Sequence, residues 1–196
     1  MIPKRLLIAL GILVTASILL TSYAFRLKHR VEDPERLRVY TRPVAPPGAG
    51  PTQAVTLWVA NDADGTIQSK QIQASLPGDD SERAKQVLRL LFAAYLERRS
   101  PHPIGDGADV RDVYKLGNDS LVVDLNAPFA DGHRSGVFVE ELTVLSMLES
   151  LSANLPNISR VKFLVDGKER ETLAGHADLH SYYDLAVATQ TGKGLQ

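Results

Sequence analysis

The stretch Asp119–Lys168 constrains the fold of this chain more than any other. It reads DSLVVDLNAPF, then GVFVEELTVLSMLESLSANLP, then NISRVKFLVDGK. Leu121-Val122-Val123-Asp124-Leu125 is rich in β-branched residues and runs into the turn formers Asn126 and Pro128, which predicts a strand. Gly136 opens a long segment in which Val137, Val144, Leu148, Leu151 and Leu155 fall on one stripe of a helix. Phe138, Leu142 and Leu145 widen the stripe, and Glu141 and Glu149 interrupt it near its margins. Pro156 and Asn157 stop the helix. Val161–Val165 then alternates before the Asp166-Gly167 turn. The reading is strand, helix, strand.

The order and spacing of VVDLN, a Glu- and Leu-bearing helix and V-x-F-L-V-D-G-K resemble the GerM domain, the sporulation and germination domain. The resemblance extends over roughly Thr52–Leu185. In that family a strand pair precedes the first helix, a hairpin ending in a VDLS-like strand precedes the second, and the last strand ends in a V-D-G-like turn. The resemblance implies an extracytoplasmic α/β module without known catalysis, used to hold envelope proteins together.

The N-terminus bears on location. Lys4 and Arg5 precede an uncharged run of 20 residues, Leu6–Phe25, and Arg26, Lys28 and Arg30 follow at once. That length suits one membrane-spanning helix, and residues 1–30 are expected to form a retained anchor. Ser22-Tyr23-Ala24 fits the small-x-small pattern of a cleavable signal, the rival reading. Positive charge on both flanks does not orient the segment; the GerM resemblance places the domain outside, in a periplasmic or extracellular setting. Residues 31–51 alternate in charge and end in RPVAPPGAGP, a spacer too rich in proline and glycine to bury a core.

The domain is expected over residues 52–188, with a disordered tail at 189–196. Val55–Ala60 and Thr66–Ala74 read as two strands around Asn61-Asp62-Ala63-Asp64-Gly65. A calcium loop with Gly65 at its sixth position would need oxygen ligands at Ala60 and Gln71, so a hairpin turn is the better reading. Asp79 and Asp80 sit where a helix cap belongs. Ala84, Val87, Leu88, Leu91 and Tyr95 then recur at helical spacing. Val110–Leu116 and Leu121–Leu125 form a hairpin across Gly117-Asn118-Asp119, and Lys168–Thr172 could return as an edge strand. The expected fold is α/β (α+β): two helices on one face of a mostly antiparallel sheet, preceded by the membrane helix.

Composition excludes some chemistry. A net charge of −1 lacks the basic excess of nucleic-acid binders, and the absence of cysteine removes thiol catalysis, thiolate zinc sites and a cysteine-linked lipid anchor. His176 and His180 are four apart and would share a helix face, but Asp178 could not join them there. With His102 and His133 in separate loops, the histidines read as surface residues. Asp124 paired with Glu140 or Asp166 could mimic a glycosidase, yet Asp124 and Asp166 both stand at strand ends, where aspartate serves turns. No G-x-S-x-G elbow or phosphate loop occurs. The sequence therefore predicts no catalytic, cofactor or metal residue, and a non-enzymatic module that binds other envelope proteins or its own copies. A periplasmic enzyme or ligand-binding domain acting on cell-wall material is the alternative.

Overall fold

Alternating apolar residues build the first hairpin. β1 (Thr52–Asn61) buries Val55, Leu57 and Ala60, and β2 (Thr66–Ser75) returns antiparallel with Asn61 opposite Thr66. The turn between them uses Gly65 at a positive φ of 66°. In the computed structural model, residues 51–192 are described; the expected membrane helix and most of the expected spacer lie outside them.

α1 (Asp80–Tyr95) starts where the cap was expected, with the Asp79 carboxylate accepting from the amides of Ser81 and Glu82. It buries Ala84, Val87, Leu88, Leu91, Phe92 and Tyr95. β3 (Val110–Leu116) and β4 (Ser120–Leu125) form the second hairpin. A short helix not foreseen from the sequence, α2 (Ala127–Asp131), follows; Asn126 caps it by accepting from the Phe129 amide. α3 (Val137–Asn154) and β5 (Arg160–Val165) complete the central unit. Asp166 and Gly167 both take positive φ in the turn beyond it, as a type I′ connection requires.

Several expectations need correction. The strands form two sheets where one was expected: β1-β2, and a second of β3, β4, β5 and an edge strand β6 (Tyr183–Asp184) in that order. β1 does not join the larger sheet because helix side chains occupy its outer edge. Ser150 Oγ accepts from Trp58 N at 2.8 Å, Asn154 Oδ1 from Thr56 N at 3.2 Å, and Tyr95 Oη from Ala60 N at 3.0 Å. A strand edge satisfied in this way has no free ladder to offer another strand. The helices accordingly do not share one face of one sheet: α1 packs on β3 and β1, while α3 packs on β1, β2 and α1.

β5 runs parallel to β4, with Leu121 opposite Val161. The 18 residues of α3 span about 27 Å and carry the chain back to the end where β4 began. Antiparallel pairing holds elsewhere. Nor does α3 present a single apolar face: every residue from Leu142 to Leu151 is buried, Thr143, Ser146, Glu149 and Ser150 included. It is the central helix of the domain.

The edge strand is not Lys168–Thr172, which makes only isolated bridges. It is β6 (Tyr183–Asp184), paired with β5 at two positions. The tail expected to be disordered from Thr189 is helical to Gly192, as α4 (Leu185–Gly192). Asp184 accepts from the amides of Ala186 and Val187 to start it, and Leu185 and Ala188 bury against the core. At Gly192 an added Cβ would stand 2.6 Å from the Glu149 carboxylate, which would have to shift to admit it.

Candidate functional site

Two histidines expected at the surface lie inside. His102 is fully buried and His133 nearly so. Their Nε2 atoms converge on one hydroxyl, Thr143 Oγ1 of α3, at 2.6 and 2.7 Å. His102 Nδ1 faces Asp62 Oδ1 at 2.5 Å, and His133 Nδ1 faces the Arg134 carbonyl at 2.8 Å. Asp62, from the β1–β2 turn, also receives the Arg134 guanidinium. Burial pulls the pKa of both imidazoles below the ordinary value, with the Asp62 bond opposing at His102 and the Arg134 carbonyl opposing at His133.

Proton counting shows what this cluster is. The Asp62 carboxylate and the Arg134 carbonyl only accept, so each neutral ring carries its proton on Nδ1 and turns a bare Nε2 toward Thr143. Thr143 has one proton, and the Val139 carbonyl 2.9 Å away also competes for it. Carboxylate, imidazole and hydroxyl have the outline of an activated nucleophile. Yet Thr143 is wholly buried, with Tyr95 Oη donating to Ser146 Oγ at 2.7 Å one turn along the helix. No substrate reaches this hydroxyl without opening the core. Its evident work is to fasten the β1–β2 turn and two loops to α3.

The carboxylates singled out in the sequence are also fasteners. Arg111 bridges Asp124 and Asp166, Nε to Asp124 Oδ2 at 3.4 Å and Nη1 to Asp166 Oδ1 at 2.9 Å. Asp124 accepts from Gly167 N at 2.7 Å and Asp166 from Ala127 N at 3.2 Å, so the pair ties β4, α2 and the β5 turn together. Burial raises the Asp124 carboxyl, against the Gly167 bond and the Arg111 charge. Glu140 serves a different segment. It accepts from the amides of Gly136, Ala174, His176 and Ala177 and faces His176 Nδ1 at 2.9 Å. Burial acts to raise its carboxyl, but these donors outweigh it and hold the group down at about 2.

His176 and His180 lie on a turning segment, not a helix, so they do not share a face. Among the described residues no three His, Asp or Glu side chains converge as metal ligands would.

A groove opens instead between α3, α4 and residues 176–184. It has a volume of about 560 Å³. Val144, Leu145, Leu148 and Ala188 line its depth, and the exposed side chains of Val137, Tyr182 and Val187 form its walls. Glu141, Asp178 and Asp184 place carboxylates on the lining, and no Lys or Arg stands among the described lining residues. Burial, then the Asp178 and Glu141 carboxylates, push the Tyr183 phenol up to about 12. The sequence concealed this groove, because it forms only where residues 176–184 and α4 meet α3, and of its lining only Thr191 comes from the segment expected to be disordered.

Comparison with protein families decides the relationship. The model of the family described as "Germane: Sporulation and spore germination" matches residues 56–171. The chain belongs to the Germane family. The GerM resemblance seen in the sequence is thereby upheld, and the matched residues of this Germane domain run from β1 to just beyond β5. A comparison with curated proteins finds no match.

Among solved structures, the chain is similar to a candidate lipoprotein from Clostridium perfringens. They share 16% identity and a TM-score of 0.47, over 72% of this chain and 92% of that one. It is also similar to the tandem GerMN domains of the sporulation protein GerM from Bacillus subtilis, at 19% identity and a TM-score of 0.47. That match covers 67% of this chain and 45% of the tandem structure, so the Germane chain spans less than half of that relative. The first GerMN domain alone matches at 17% identity and a TM-score of 0.48, over 66% of this chain and 95% of the domain.

Proposed function

We infer that this protein is a membrane-tethered, non-enzymatic binding module of the cell envelope, in a sporulation- or germination-type setting. The Leu6–Phe25 segment holds the domain outside the cytoplasm, where it recruits another envelope protein. One contrast carries the reading. The buried histidines with Thr143 and Asp62, and the Asp124–Arg111–Asp166 set, are bonded to one another as internal fasteners, whereas the open groove is lined chiefly by apolar side chains. The apolar run of 20 residues and its cationic flanks support the tether. The proline- and glycine-rich spacer supports reach from the membrane, and tethering raises the effective concentration of neighbours without any new contact.

The test is complementation of a null strain at native expression. The full chain should restore function, as should a chain whose residues 1–30 are replaced by an unrelated membrane helix. A secreted chain lacking residues 1–30 should not. Full rescue by that anchorless chain overturns the tether, and a C-terminal tag protected from protease in spheroplasts overturns the location.

A further inference from the structure

We propose that the groove between α3, α4 and residues 176–184 is a docking surface for an amphipathic helix of a partner protein, its apolar face flanked by Lys or Arg. The proposal rests on the reading of this protein as a binding module and names what it binds. Three observations carry it.

The first is apolar exposure in a concave place. Val137 and Val187 are each 61% exposed and Tyr182 is 46% exposed, all lining one groove above a floor of Val144, Leu145 and Leu148. Scattered exposed apolar residues need no explanation, but convergence on a groove marks an interaction surface. Its volume of about 560 Å³ suits a few anchoring side chains, such as those a helix presents at i, i+3 or i+4, and i+7.

The second is charge. Among the described residues the lining carries three carboxylates, from Glu141, Asp178 and Asp184, and neither Lys nor Arg; Arg160 and Lys162, 5.8 and 5.7 Å from the Tyr182 ring centroid, are each paired with a carboxylate, Asp119 and Glu169. Composition does not impose this, since the whole chain is nearly neutral at −1. Asp178 and Asp184 accept from amides of their own segment. Such a rim steers cationic segments in and turns acidic peptides and anionic lipid headgroups away.

The third is availability. The exposed Glu141 carboxylate forms no hydrogen bond or ion pair among the described residues, although it stands on the helix that contributes the groove floor. It is placed to meet a Lys or Arg arriving beside an apolar anchor, at no cost to the fold.

The test uses the full chain in phosphatidylcholine nanodiscs, with empty nanodiscs as the blank. Three labelled helical peptides of about 18 residues serve as probes. One has a leucine face flanked by lysine, one the same face flanked by glutamate, and one has lysine without leucine. Fluorescence anisotropy should show micromolar binding of the first and at least about ten-fold weaker binding of the others. E141K should weaken the first about five-fold, and raising salt from about 50 mM to about 500 mM should weaken it too. V187R, a change at an exposed position, should abolish it while leaving the melting curve unchanged. Equal binding of the lysine and glutamate peptides overturns the assigned chemistry. Binding indifferent to both substitutions, or no binding, overturns the docking surface.

A photo-cross-linker at position 187 in native cells adds a second arm. Adducts to an apolar, Lys- or Arg-bearing segment of another protein support the proposal, and adducts to lipid or to a second copy of this chain overturn it. Failure here leaves the tethered-module reading standing if the anchor is still required in cells. Rescue by the anchorless chain sinks that reading while leaving the peptide result intact.

Discussion

The side-chain amide of Asn154 closes both halves of the Thr56 backbone: Oδ1 accepts from Thr56 N at 3.2 Å and Nδ2 donates to Thr56 O at 2.7 Å. A helix side chain thus stands where a neighbouring strand would pair. Four residues earlier, the Ser150 hydroxyl accepts from Trp58 N at 2.8 Å. The outer edge of β1 is closed by α3, which explains why the first hairpin is a sheet of its own.

Removing that closure should cost stability and expose an edge. Asn154→Ala leaves the half-buried Thr56 peptide groups without these partners and is expected to lower the unfolding free energy by about 1–3 kcal/mol. Urea denaturation checks the magnitude. Light scattering during refolding checks the edge, because an unpaired strand invites association. An unchanged midpoint would show that the Asn154 bonds do not hold the strand.

The histidine pair gives a second test. Thr143→Val keeps the shape of the side chain but turns a methyl toward two buried imidazole nitrogens. A loss of about 2–4 kcal/mol is expected, while Thr143→Ser, which keeps the hydroxyl, should cost less than about 1.5 kcal/mol. Equal losses for the two variants would assign the cost to packing instead.

Glu140 governs a pH effect. Its carboxyl titrates near 4.5 when unfolded and is held at about 2 in the folded protein. A depressed acid contributes stability above its unfolded pKa and loses it as pH falls through the folded value, here between 4.5 and about 2. The contribution at neutral pH is about 3 kcal/mol by that linkage. Glu140→Gln should therefore be less stable at pH 7 and show a flatter acid limb. Melting temperatures from pH 2 to 7 would reveal it, and parallel curves for the two proteins would refute the assignment.

Leu148 tests the central helix. It is fully buried in the stripe that α3 turns to the core. Leu148→Ala should cost about 2–5 kcal/mol by loss of transfer energy and the cavity left behind. A loss below about 0.5 kcal/mol, typical of surface sites, would contradict its placement.

The sequence by itself determined the elements whose signals are local. Alternation and β-branching marked β1, β3, β4 and β5, helical spacing marked α1 and α3, and Asp79 and Gly167 marked a cap and a turn, because each needs only near neighbours to be decided. Their order also carried the family resemblance. Tertiary structure alone decided the division into two sheets, since that depends on Ser150, Asn154 and Tyr95 meeting a strand edge far away in the chain. A trace of this was legible: Thr143, Ser146, Ser150 and Asn154 follow one another at three- and four-residue steps, a polar stripe along an otherwise apolar helix. What that stripe would meet was not. His102 and His133 are 31 residues apart in the chain and share one hydroxyl only because the fold brings two loops onto α3. The groove, likewise, exists only once α4 has docked beside α3, and docking is a matter of distant surfaces whose affinity no local periodicity encodes.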